Sequence, residues 1–143
     1  PVSFIAGKNN IVDVLTPGSE GSTFGGYPLA AVVGVYAIKV LVDNKLAQNA
    51  QIRGTQLLNH FENIKRDFPD KIKEIRGKGL LTAFEMHNTV KLDGHKISIE
   101  LLKQGIYAKE THRNIIRIAP SLTIKSWQVD NIAESIRQVI KVI

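Results

Sequence analysis

Between Leu29 and Val42 apolar residues follow one another almost without a break: Ala30, Ala31, Val32, Val33, Val35, Ala37, Ile38, Val40 and Leu41. Pro28 suits the first turn of a helix, where its missing N–H costs nothing. The run predicts a helix that is apolar nearly all round and therefore buried. Asp43-Asn44 breaks it, and Asn44 is placed to cap the next helix. That helix runs to about Phe68 on a stripe of Leu46, Ile52, Leu57, Leu58, Phe61 and Ile64. Beyond Pro69-Asp70 the period shortens. Ile72 to Arg76 alternates as a strand, Gly77-Lys78-Gly79 reads as a tight turn or bulge, and Leu80 to Met86 reads as a second strand. Asn88 to Gly94 reads as a loop. Ile97 to Gln104 reads as a helix stopped by Gly105. Ile106 to Lys109 and Ile115 to Ala119 read as short strands. Ser126 caps a last helix, Trp127 to Ile143, whose Val129, Ile132, Ile136, Val139, Ile140 and Ile143 are spaced by three and four. At the other end, Val2 to Ala6 reads as a strand, and Asn9 to Leu15 as one or two helical turns capped by Asn9 or Asn10.

Helices, then strands, a helix, strands and a helix argue an α+β architecture: a small, mainly antiparallel sheet covered by helices. The chain has 143 residues, enough for one real core. It contains no cysteine, which leaves neither a disulfide framework nor a thiolate metal site. Its net charge is +6. The lysines are scattered and no aromatic residues interleave with them, so the charge reads as a solvated surface rather than a nucleic-acid interface. No apolar run approaches a membrane span. The chain opens on Pro1-Val2-Ser3 without methionine, and is expected to be a piece of something longer.

Two features carry candidate chemistry. Arg117 stands alone in the apolar strand Asn114-Ile115-Ile116-Arg117-Ile118-Ala119-Pro120. A guanidinium is always ionised and presents a planar fork that matches a carboxylate. Arg117 therefore either pairs with an internal acid, reaches water, or waits for a ligand's carboxylate. Alternation sets Ile115 and Ala119 on its face and Ile116 and Ile118 on the other. The second feature is the loop Gly21-Ser22-Thr23-Phe24-Gly25-Gly26. Its glycines let backbone N–H groups approach an anion, and Ser22 and Thr23 add hydroxyls. It has neither the lysine of a P-loop nor the βαβ setting of a dinucleotide fingerprint, and an ordinary glycine-rich loop leading into a helix would look the same. Arg76-Gly77-Lys78-Gly79 reads as a turn between strands rather than an anion site. The histidines His60, His87, His95 and His112 show no metal-ligand spacing, and no metal is expected.

Taken together these segments resemble the class-III pyridoxal-phosphate aminotransferases. Thr16-Pro17-Gly18-Ser19-Glu20-Gly21-Ser22-Thr23-Phe24-Gly25-Gly26 resembles that family's phosphate-contacting loop. Arg76-Gly77-Lys78-Gly79-Leu80-Leu81 resembles a strand turn of its small domain. Lys109-Glu110-Thr111-His112, followed by Ile115-Ile116-Arg117-Ile118-Ala119-Pro120-Ser121-Leu122, resembles the closing segment of its ornithine-acting branch.

The resemblance implies transfer of the δ-amino group of ornithine to 2-oxoglutarate, with pyridoxal 5'-phosphate as cofactor, in a homodimer or larger assembly without nucleic acid or membrane. It implies that residues 1–30 end the large cofactor-binding domain of a fold-type I enzyme and that 31–143 form its C-terminal small domain. Ser22 and Thr23 would contact the phosphate of the neighbouring subunit's cofactor, and Arg117 would bind a substrate carboxylate. The lysine that holds the cofactor covalently would lie before Pro1, so no catalytic residue is expected in this chain and these residues alone are expected to be inactive. A cytoplasmic location is expected, the mitochondrial matrix being the alternative. Two positions depart from the family: Glu20 stands where it usually carries histidine, and Tyr27 where it carries asparagine, a better helix cap. Other readings are an acetylornithine or 4-aminobutyrate aminotransferase, or a non-catalytic anion-binding module with the small-domain fold.

Overall fold

The computed structural model describes residues 3–87 and 93–143. They form two compact units, which divide between Asn44 and Lys45. The division expected at 30/31 falls within a helix of the first unit.

The first unit holds the helical turn α1 (Asn9–Val12) and the helix α2 (Pro28–Asp43). Three local expectations fail here. Ser3 to Ala6 is not a strand, because a strand exists only where its backbone pairs with another; Val2 lies outside the described residues. Lys8, not Asn9 or Asn10, is the N-cap of α1, and no side chain caps that turn. Asn44 caps backwards: its Nδ2 donates to the Val40 carbonyl at 3.1 Å, at the C-terminus of α2. Helix α2 begins at Pro28 as the pattern requires, yet none of its residues is buried. Its apolar surface is a demand for cover, and one helical turn plus loops cannot wrap a 16-residue helix.

The second unit is built on the helices α3 (Leu46–Asp67), α4 (Gly94–Lys103) and α5 (Ser126–Val142) and the strands β1 (Ile72–Lys78), β2 (Leu81–Met86), β3 (Lys109–Thr111) and β4 (Ile115–Ile118). The sheet runs β1-β2-β4-β3, with every neighbouring pair antiparallel. One face is the core. Phe84, Ile116, Ile118 and Met86 from the sheet meet Leu57, Phe61 and Ile64 of α3, Ile97 and Leu101 of α4, and Val129, Ile136 and Ile140 of α5. Phe61 meets Phe84 edge-on, with centroids 5.5 Å apart and planes at 76°, the arrangement ring quadrupoles favour. Ile52 departs from the expected stripe and is exposed.

Several boundaries move for physical reasons. β1 continues through Gly77 to Lys78, and the hairpin turns on Gly79 and Leu80 alone, with Lys78 opposite Leu81. Gly79 takes φ +56°, a conformation that glycine reaches without strain. Ile106 is not a strand residue. Its N–H bonds the Leu101 carbonyl and that of Gly105 bonds Leu102, both at 2.9 Å. This is the Schellman stop of α4, with Ile106 packed on the core, so β3 starts only at Lys109. At α5 the N-cap is Lys125, whose N–H donates to Gln128 Oε1 at 2.9 Å. The expected cap, Ser126, donates instead to Gln56 Oε1 on α3 at 3.1 Å. Of the expected loop Asn88 to Gly94, residues 88–92 lie outside the described residues, and Asp93 and Gly94 begin α4 as its N-cap and first residue.

The sheet's outer face is polar. Lys73 Nζ donates to Glu85 Oε1 at 2.7 Å, and Arg76 donates to Glu85 Oε2 at 3.1 Å. These bonds, Lys73 first, hold the Glu85 carboxyl below its ordinary range. A lowered folded-state value means that stability is present above the carboxylate's unfolded pKa and is lost as pH falls through the folded one. Glu85→Gln should therefore lower stability at neutral pH and flatten its acid decline. Urea titrations of both proteins between about pH 3 and 7 check this, and parallel curves would reject it.

Candidate functional site

Arg117 lies on β4, opposite Ala83 of β2 on one side and Lys109 of β3 on the other. Its neighbours Ile116 and Ile118 are buried while Arg117 is exposed, as strand alternation requires. The guanidinium thus stands on the outer face of the sheet. Among the described residues no carboxylate lies within ion-pair distance of it. The internal ion pair that the sequence left open does not form. Arg76, one strand beyond Ala83 on the same transverse row, is committed: Glu74 lies 3.3 Å and Glu85 3.1 Å from its Nη1. Arg76 to Gly79 is thus strand and hairpin, not an anion site.

The strand that carries Arg117 is positioned by a strained turn. His112 and Arg113 both take positive φ, +53° and +67°, where side chains cost energy. The turn is held from outside. Gly94 donates its N–H to the Arg113 carbonyl at 2.8 Å, and Asn114 and Met86 exchange bonds: Met86 N–H to the Asn114 carbonyl at 2.8 Å, Asn114 Nδ2 to the Met86 carbonyl at 3.0 Å. These bonds pin the start of β4 to β2, and with it the register of Arg117.

The loop at 21–26 belongs to the first unit and is described by itself. Its backbone folds on internal bonds: Gly25 N–H to the Ser22 carbonyl at 3.1 Å and Tyr27 N–H to the Phe24 carbonyl at 3.2 Å. Ser22 and Thr23 are exposed, and neither hydroxyl bonds another of the described residues. Two hydroxyls on a tight glycine bend match what phosphate oxygens accept. Glu20 is exposed too, which leaves its carboxylate room to point away from an anion. Tyr27 is the N-cap of α2 without a side-chain bond, so the first turn of that helix keeps its N–H groups unfilled by any cap.

Two of the four histidines have acidic partners. His60 Nε2 is 2.8 Å from Asp130, and His95 Nδ1 is 3.5 Å from Glu110. No group of three metal-ligating side chains gathers among the described residues. No described helix is long and apolar enough to cross a membrane. Sequence reasoning missed the Lys73–Glu85–Arg76 network and the pairing of Lys109 with Arg117. Both are cross-strand relations, set by a register that alternation alone does not reveal.

The family model for aminotransferase class-III matches residues 1–140. The chain is 39% identical over 139 residues to an ornithine aminotransferase of Staphylococcus carnosus, covering 97% of this chain and 33% of that protein. It is 34% identical over 143 residues to a mitochondrial ornithine aminotransferase of Arabidopsis thaliana, covering 99% and 30%. Among solved structures, ornithine delta-aminotransferase of Plasmodium falciparum superposes with a TM-score of 0.81 at 36% identity, covering 94% of this chain and 34% of that one. An acetylornithine aminotransferase from Elizabethkingia anophelis gives a TM-score of 0.82 at 37% identity, with coverage of 94% and 34%. The chain spans about a third of the length of the relatives it matches.

Proposed function

The chain belongs to the class-III aminotransferase family, and on that footing we propose that it is the C-terminal portion of an ornithine aminotransferase. The enzyme moves the δ-amino group of ornithine to 2-oxoglutarate, giving glutamate 5-semialdehyde and glutamate. Residues 1–30 would close the large domain and carry the phosphate-contacting loop, and 31–143 would contain the small domain, whose compact body begins at Lys45. The apolar surface of α2 is covered by the remainder of the enzyme.

Pyridoxal phosphate, when bound, supplies an electron sink for the chemistry. This chain's residues hold and orient. In a homodimer, the Ser22 and Thr23 hydroxyls would hold the phosphate of the neighbouring subunit's cofactor as hydrogen-bond donors. Arg117 grips a substrate carboxylate with both arms of its fork and so fixes which end of the substrate faces the cofactor, which is catalysis by positioning. The covalent lysine comes from polypeptide outside these residues. The 143 residues alone are accordingly inactive. The reading places the enzyme in the cytoplasm, with the mitochondrial matrix as the alternative.

The observation that carries this reading is Arg117: a charged fork on an ordered strand, with no acid to satisfy it among the described residues. A second reading, acetylornithine aminotransferase, is favoured by the match to the Elizabethkingia structure. A full-length protein containing this chain, assayed with ornithine, N-acetylornithine and 4-aminobutyrate, separates the two. Turnover of ornithine with semialdehyde formation is the expected result, and preference for another amine overturns the substrate assignment. No transamination of any amine would leave an anion-binding module.

Thr23→Ala tests the loop. A lost hydrogen bond to a charged group costs about 1.5–3 kcal/mol. Cofactor affinity of the dimer, read by equilibrium dialysis, should fall by roughly tenfold to a hundredfold. Unchanged retention would remove Thr23 from the phosphate site.

A further inference from the structure

We propose that Lys109 is a second cationic contact for the carboxylate held by Arg117, and so a residue that sets affinity for the acidic substrate. The inference rests on the aminotransferase reading of Arg117. It starts from a conflict within the sheet. Lys109 and Arg117 are directly opposed across β3 and β4, and both are exposed on the outer face. Like charges directly opposite on one face repel, with Cβ atoms only about 5 Å apart. Proteins ordinarily relieve such a pair with an acid. Here none of the described carboxylates is within ion-pair distance of either group. Glu110, the next residue along, points to the other face, where it meets His95.

The rest of the row explains why Lys109 is the partner. The transverse row reads Arg76, Ala83, Arg117, Lys109. Arg76 is bound to Glu74 and Glu85. Ala83 offers a methyl group, with no donor and little bulk. An anion on the Arg117 fork therefore finds an open flank towards β2 and an ammonium towards β3. The two cations differ usefully. The planar guanidinium fixes a carboxylate's orientation, and the ammonium, on a flexible stem, follows the outer oxygen as a point charge. An anion between them turns the repulsion into attraction. The cost of holding the two charges together falls on the ligand-free protein, and its relief falls on the complex.

The test uses the full-length enzyme containing this chain, with 2-oxoglutarate as the probe. Lys109→Gln should raise KM for 2-oxoglutarate about tenfold and leave kcat within about twofold, while Lys109→Arg should restore most of the affinity. The ligand-free K109Q protein should melt no lower than wild type, and 2-oxoglutarate should raise its melting temperature less. K109Q combined with R117A should raise KM by less than the product of the two single effects, because both groups act on one carboxylate. If R117A raises KM and K109Q does not, this inference fails and the reading of Arg117 stands. If neither substitution changes KM, the reading of Arg117 has failed first. A drop in ligand-free melting temperature with KM unchanged would make Lys109 structural and overturn the proposal.

Discussion

Replacing Gly54 with alanine should destabilise the second unit by about 3 kcal/mol, the largest effect expected of any single added methyl group. Gly54 is buried in α3, and the helix backbone there lies directly against the β1–β2 hairpin. A Cβ built at 54 would overlap the carbonyl of Gly79 and lie 2.7 Å from its Cα. Real Cβ atoms do not approach backbone so closely, and a backbone cannot rotate aside as a side chain can. Gly79 is itself held at φ +56° by a two-residue turn, so the hairpin has little freedom to yield. Helix propensity opposes the effect, since alanine gains about 1 kcal/mol over glycine in a helix. The clash outweighs it. At roughly 4–8 °C per kcal/mol for a domain of this size, the melting temperature should fall by more than about 10 °C. Thermal unfolding followed by circular dichroism is the measurement. A G54A protein that melts at or above wild type would show that the helix does not ride on the hairpin.

Arg117→Ala should raise KM for 2-oxoglutarate and for ornithine roughly a hundredfold in the full-length enzyme while leaving cofactor retention unchanged. Removing a bidentate charge-assisted contact costs about 2–4 kcal/mol, and about 2.7 kcal/mol corresponds to the hundredfold. Stability separates this from a structural role. Arg117 is exposed and pairs with no acid among the described residues, so its loss should shift the melting temperature by no more than about 2 °C. Arg117→Lys keeps the charge and loses the fork, and should fall between the two. Unchanged KM values, or a collapse in stability, would sink the substrate-binding role.

The two halves of this molecule were unequally legible. Where a residue's burial follows from its own element, periodicity sufficed. The stripe Leu57, Phe61, Ile64 and the stripe Val129, Ile136, Ile140 mark the inner faces of α3 and α5, because a helix must bury its apolar side. Alternation set Arg117 apart from Ile116 and Ile118 for the same reason. Caps were misplaced because Asn44 and Ser126 had competing partners: Asn44 serves the helix behind it, and Ser126 bonds Gln56, seventy residues away in sequence. The start of β3 was misplaced because Ile106, a good strand residue, completes a helix stop. Helix α2 failed differently: its sequence states that it must be covered, but not by what.

By its own residues, then, the chain specified helix faces, strand alternation and a bend carrying Ser22 and Thr23, since each depends on interactions a few residues long. Tertiary structure alone decided which strands are neighbours, that Glu85 takes Lys73 and Arg76 while Arg117 is left with Lys109, and that Gly54 must be bare. These depend on register and close approach between segments far apart in sequence, and no local pattern encodes such distances.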